Sequence, residues 1–121
     1  MKKILFITAF PPNQRTAGQD YSRRLIFDLV NKNFEVSLIY AEYPGHEVEL
    51  PNAVQILKSF KPSVFHCLKK LEFHPFFTKR YDSQILRYIK ERAHKFDVLY
   101  FDFSQIHIYS NYVSHPFKIL M

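Results

Sequence analysis

Glycine is scarce in this sequence, cysteine scarcer still, and no apolar run is long. Only two glycines occur in 121 residues, Gly18 and Gly45, which argues against an architecture built from many tight turns. The single cysteine, Cys67, excludes an internal disulfide, so a reducing, cytoplasmic setting is the expectation. On a helix with apolar neighbours, that thiol reads as a packed side chain rather than a nucleophile. No apolar stretch approaches the roughly 20 residues that a membrane-crossing helix needs. The opening MKKILFITAFPP imitates a secretion signal, but its apolar run is short, meets Pro11-Pro12 and lacks a small-residue cleavage site. The histidines, at 46, 66, 74, 94, 107 and 115, show no paired spacing with cysteine or carboxylates, so no metal is expected. Neither G-x-S-x-G, G-x-G-x-x-G nor a P-loop is present, and no catalytic residue declares itself.

What is present is a chain that must fold. Hydrophobic residues make up 47% and aromatics 17%, which rules out disorder, and the length suits one domain with a single core. The formal charge of +6 and pI near 9.5 favour anionic partners: phosphorylated small molecules, an acidic membrane surface or nucleic acid. The last is not expected, because no RRM, KH or helix-turn-helix pattern occurs and the aromatics lie in apolar runs.

The organising stretch runs from Lys3 to Val30. Ile4, Leu5, Phe6 and Ile7 form a continuous apolar run bounded by lysines and by Pro11-Pro12, as in a parallel strand covered on both faces. A polar loop, Ala9 to Gln19, leads into a helix with Tyr21, Leu25, Ile26, Leu29 and Val30 on its apolar face, Ser22 outside it and Asp20 as N-cap. That helix should close near Lys32-Asn33, since asparagine tolerates the left-handed residue after a helix. Strands follow at Phe34–Tyr40 and Val54–Lys58, with the loop Ala41 to Pro51 between them. Helices are expected from Pro62 to about Leu71 and from about Tyr81 to Phe96, then a buried strand at Val98–Phe101, a short helix or turn at Ser104–Val113, and a last strand at Phe117–Met121. The pattern predicts an α/β domain, a Rossmann-like, doubly wound parallel sheet. The chain stops inside an apolar strand, and a fragment of a longer protein is the expectation.

In such sheets ligands bind where the strands' carboxyl ends meet the following loops, which draws the eye to the loop before the first helix. Arg15, Thr16, Ala17, Gly18 and Gln19 are candidates to hold a phosphate with backbone N–H groups, the positive end of the helix and a guanidinium. Alternatively, Gly18 merely permits a tight turn into the helix. Asp102 and Ser104, at the end of the fourth strand, would face Gly18 across the switch point, to bind acceptor hydroxyls or to cap the next helix. From Lys58 to Arg80, the cations Lys58, Lys61, Lys69, Lys70, Lys79 and Arg80 stand against the single acid Glu72 and are interleaved with Phe76, Phe77 and other phenylalanines. That mixture fits the surface of an anionic membrane, or a solvated helix whose phenylalanines are core.

Phe10-Pro11-Pro12, Ala17-Gly18, the helical Leu25 and Leu29, Glu35-Val36, and Phe96-Asp97-Val98-Leu99-Tyr100 together resemble the N-terminal domain of GT-B fold glycosyltransferases, most nearly the large retaining group called family 4. That family often has a glycine pair where Ala17-Gly18 stands, and Gly-His where Asn33-Phe34 stands. The resemblance implies the acceptor-side half, residues 1–121, of a hexosyltransferase-type enzyme whose donor-binding C-terminal domain is missing and which is inactive without it. It further implies a nucleotide-sugar donor, a glycan or lipid-linked acceptor in cell-envelope polysaccharide synthesis, no metal or other cofactor, and work at the inner face of the membrane. A different reading of the same residues is a stand-alone nucleotide- or phosphate-binding module.

Overall fold

Lys3–Thr8 forms β1, buried from Ile4 onward, and its side chains alternate between two cores. Leu5 and Ile7 join Ile85, Ile89, Leu99, Phe101 and Tyr109 on one face of the sheet. Ile4 and Phe6 join Ile26, Val36, Leu38 and Tyr100 on the other. A strand covered on both sides has no polar face to show, which is why its sequence reads as an unbroken apolar run. Fully burying a side chain of this size contributes about 1.5–3 kcal/mol, so β1 is a main source of stability.

The computed structural model describes residues 1–61, 83–103 and 106–120. Within them, α1 spans Ala17–Asn31, β2 Glu35–Ala41, β3 Gln55–Phe60, α2 Ser83–Arg92 with a 3-10 turn at Ala93–Lys95, β4 Val98–Asp102, α3 His107–Ser110 and β5 Lys118–Leu120. The sheet is parallel throughout, in the order β3-β2-β1-β4-β5. Residues of α1 pack on one face and those of α2 and α3 on the other, giving a Rossmann-like α/β domain with β1 at its centre. Phe6 and Tyr100, register partners in β1 and β4, stack with centroids 4.6 Å apart and planes 8° from parallel. The expected helix at 62–71 lies outside the described residues.

Helix α1 closes as its sequence implies. Asn33 takes φ +66°, the Asn33 N–H bonds to Val30 O at 3.1 Å and the Phe34 N–H to Leu29 O at 3.0 Å, a complete Schellman closure. Its beginning departs from expectation. Thr16, not Asp20, is the N-cap, its Oγ1 accepting from the Gln19 N–H at 3.2 Å, so Ala17, Gly18 and Gln19 belong to the helix rather than to the loop. Asp20 sits in the first turn and pairs with Arg23 and Arg24, each at 3.0 Å. Leu25, Ile26, Leu29 and Val30 of the expected face pack in the core, and the departure is confined to its start. Tyr21 is 58% exposed while Ser22 is buried, because Ser22 has a buried carboxylate to meet.

Between β2 and β3 the register slips at Leu38/Ile39: Ile56 faces Leu38, and Lys58 rather than Leu57 faces Ile39. The extra residue is Leu57, which turns to the α2 side and packs there with Phe60.

Candidate functional site at the carboxyl ends of the strands

The loops leaving β1, β2 and β4 converge above the sheet and each supplies aromatic side chains. Phe10 follows β1, Tyr43 and His46 follow β2, and Phe103 follows β4. The Phe103 and Phe10 rings meet edge to face at 5.3 Å, Phe10 and Tyr43 lie 5.9 Å apart, and Tyr43 and His46 lie 4.7 Å apart. These four rings, with Thr16 and Gln19, line a cavity of about 360 Å³. A second cavity of about 530 Å³ shares Tyr43 and His46 and is completed by Tyr40, Glu42, Pro44, Gly45 and Lys61.

Local sequence explains how the rings are held. Tyr43-Pro44-Gly45-His46 is a four-residue turn closed by the His46 N–H to Tyr43 O at 3.0 Å, with Gly45 at φ +79°. Proline at the second position and a positive-φ glycine at the third make the type II pattern, which brings the first and fourth side chains to the same side. Phe103 itself has φ +71°, a conformation that costs a bulky residue of order 1–3 kcal/mol and is met where surrounding structure insists on it. Its ring lies over Gly18, where a Cβ would stand 3.1 Å from the ring's Cε1. The missing side chain of Gly18 thus makes room for Phe103.

Gln19 joins the three segments. Its Nε2 donates to Pro11 O and to His46 Nδ1, both at 3.0 Å, and its Oε1 accepts from the Thr16 hydroxyl at 3.0 Å. The residue is 2% exposed, so this full set of partners is what makes its burial tolerable. Thr16-Ala17-Gly18-Gln19 is a capping-box sequence in which the glutamine side chain reaches the cap hydroxyl instead of the cap N–H.

Other loop amides are also engaged within the chain. The Gln14 N–H donates to Glu49 Oε1 and the Arg15 N–H to Asn13 Oδ1, while the Asp20 N–H donates to Thr16 O. Of the expected phosphate-binding group, Arg15, Thr16 and Ala17 are exposed at the head of α1, and the N–H groups of Ala17 and Gly18 are the two first-turn amides with no partner among the described residues.

Asp102 is brought to the same place but turns inward. Its Oδ2 accepts from Thr8 Oγ1 at 2.9 Å and from Ser22 Oγ in a very close contact, and Ser22 Oγ is also 3.2 Å from Gly18 O. Thr8, Ser22 and Asp102 are all buried, tying β1, α1 and β4 together. Burial pushes the Asp102 carboxyl above its ordinary range, against the opposing pull of the Ser22 and Thr8 hydroxyls, the charge of His107 and the Phe103 backbone. The hydroxyl of Ser22 has one proton and two acceptors in reach. Residues 104–105, which decide whether Asp102 also caps the following turn, lie outside the described residues, and α3 begins at His107.

Ser104, Lys69, Lys70, Phe76, Phe77, Lys79 and Arg80 lie outside the described residues. Lys61 is exposed and stands at the rim of the larger cavity. Tyr43, His46 and Phe103 were not among the residues singled out from sequence. The signal for the first two was Pro44-Gly45, a turn dipeptide at the exit of a strand. Among the described residues there is no group of three or more His, Cys, Asp or Glu able to hold a metal ion, and no helix long and apolar enough to cross a membrane. No family model matches the chain, and no curated protein matches it in sequence.

Proposed function

We propose that this chain is the acceptor-side domain of a glycosyltransferase that moves a sugar from a nucleotide-sugar donor to a glycan or lipid-linked acceptor. The observation that carries the reading is the aromatic cleft formed by Phe10, Tyr43, His46 and Phe103 above the β1–β4 switch point. Ring faces suit the apolar faces of sugars and bases, and polar rims suit their hydroxyls. The free N–H groups of Ala17 and Gly18, with Arg15 nearby, are suited to a donor phosphate oxygen. A central β1 whose following loop meets the exit of β4 through Phe10 and Phe103 supports the reading. On this reading the nucleotide is held mainly by a second domain, catalysis awaits that domain, and no metal is needed.

The test is a titration of the isotope-labelled chain with UDP-glucose and GDP-mannose, followed by amide NMR. Weak, saturable shifts confined to residues 9–19, 40–46 and 102–103 are the expected result. Tight, salt-insensitive binding would favour a stand-alone nucleotide-binding module, and shifts scattered elsewhere would remove the cleft from consideration. Peripheral contact with the inner face of an anionic membrane, through Lys61 and the segment to Arg80, is part of the proposal. Sedimentation with vesicles should show binding that depends on anionic lipid.

A further inference from the structure

We infer that His46 is a neutral hydrogen-bond donor through Nε2–H, held in that form by Gln19, and that its ligand is a polyhydroxylated ring seated in the aromatic cleft. The inference rests on the sugar-handling reading above and adds to it a specificity-determining residue and the group that positions it.

The tautomer follows from donors and acceptors. Pro11 O can only accept, so the Gln19 atom 3.0 Å from it must be the amide nitrogen, not the oxygen. The Thr16 hydroxyl agrees, because it accepts from the Gln19 N–H and gives its own proton to Gln19 Oε1. With the amide so oriented, its second N–H points at His46 Nδ1, also at 3.0 Å. An amide nitrogen cannot accept, so Nδ1 must present a lone pair and the ring proton resides on Nε2. Reversing the ring would require turning the amide over, which sets Gln19 Oε1 against Pro11 O and leaves both unpaired in a buried place.

The consequence for chemistry is a restriction. With Nδ1 occupied and Nε2 protonated, His46 has no free lone pair with which to act as a general base, and donates one hydrogen bond instead. The same cavities carry Glu42, an acceptor, and Tyr43, a ring face. A donor, a carboxylate acceptor and aromatic walls in adjoining cavities match a sugar ring, whose hydroxyls both give and take hydrogen bonds and whose C–H faces are apolar.

The experiment has two arms on the full chain. Long-range proton–nitrogen correlation of the imidazole should show Nε2 protonated and Nδ1 bare at neutral pH. The opposite tautomer, or a doubly protonated ring, overturns the inference whatever the chain binds. Replacing the amide by a carboxylate, Gln19→Glu, should move the proton to Nδ1, and an unchanged tautomer in a folded variant also overturns it. In the second arm, methyl α-glucoside and UDP-glucose are titrated while Tyr43 and His46 signals are followed. His46→Ala should weaken binding about tenfold, the effect of one lost hydrogen bond. His46→Gln, whose amide nitrogen can stand near Nε2, should restore most of it. Undiminished binding by His46→Ala overturns the inference while leaving the glycosyltransferase reading intact. No response to either probe in the native chain overturns the ligand half of the inference and that reading together, while the imidazole spectrum still decides the role of Gln19.

Discussion

Gly18 lies against the ring of Phe103 so closely that a Cβ on it would approach two ring carbons at 3.1 and 3.2 Å. A helix that opens the sheet's crest is thereby joined to the strand exit across from it, and the aromatic cleft acquires its far wall. Alanine at this position sets two effects against each other. Ala is favoured over Gly in a helix by about 0.8–1 kcal/mol, while the ring must give by a few tenths of an ångström. Gly18→Ala should therefore unfold within about 1 kcal/mol of the native chain in urea, with the Phe103 ring resonances displaced. Gly18→Val, larger and β-branched, should lower stability outright.

Asp102 makes the stability of the domain depend on pH in an unusual direction for an aspartate. Its folded-state value lies above the ordinary 3.8, so the folded chain holds the proton more tightly than the unfolded chain does. The resulting stabilisation is fully present below the ordinary value and is lost as pH rises through the folded-state value. Asp102→Asn, which keeps an acceptor oxygen for the hydroxyls but does not titrate, should flatten this dependence when urea midpoints are compared across that window. Asp102→Ala should instead cost about 1–3 kcal/mol by leaving the Thr8 and Ser22 hydroxyls without their acceptor.

Thr16 caps α1 and holds the Gln19 amide at once. Thr16→Ala should destabilise by about 1 kcal/mol in thermal or chemical unfolding, and Thr16→Ser should recover most of that loss.

The turn that presents Tyr43 and His46 depends on Gly45 at φ +79°. Nothing lies within 4 Å of a Cβ placed there, so the cost of Gly45→Ala is conformational rather than steric. A left-handed residue with a Cβ costs roughly 1–2 kcal/mol. The measurable result is a lowered melting temperature and loss of the cross-peaks between the Tyr43 and His46 rings.

Asn33 offers the reverse experiment. Glycine at its φ of +66° relieves the side-chain penalty while the Schellman hydrogen bonds remain, so Asn33→Gly should stabilise by up to about 1 kcal/mol. Asn33→Val should destabilise by at least as much, and both are read from chemical denaturation.

The central strand, the asparagine closure of α1 and the pairing of β4 with β1 were all legible, because each is written in neighbouring residues or in general rules of parallel sheets. The inward turn of Ser22 was not. Periodicity assigns a serine to the outside unless a buried partner is known, and the partner, Asp102, is distant in sequence. The N-cap was misassigned for a local reason. Asp20 is a good capping residue in isolation, but Thr16 with Gln19 three positions on makes the box, and Asp20 finds Arg23 and Arg24 instead. The cleft was half legible. Pro44-Gly45 announces a turn, yet nothing near Tyr43 in sequence reveals that Phe10 and Phe103 arrive beside it from two other strands.

The slip in register between β2 and β3 reaches beyond local geometry. Among the described strands β3 has one neighbour, β2, and the slip lies in that pairing. Lys58, the residue after the bulge, carries its Nζ over the ring of Tyr88 in α2, 5.2 Å from the centroid. The bulge thus fastens β3 to α2 twice, by the apolar contact of Leu57 and by the cation of Lys58, adjoining residues that an unslipped strand would send to opposite faces.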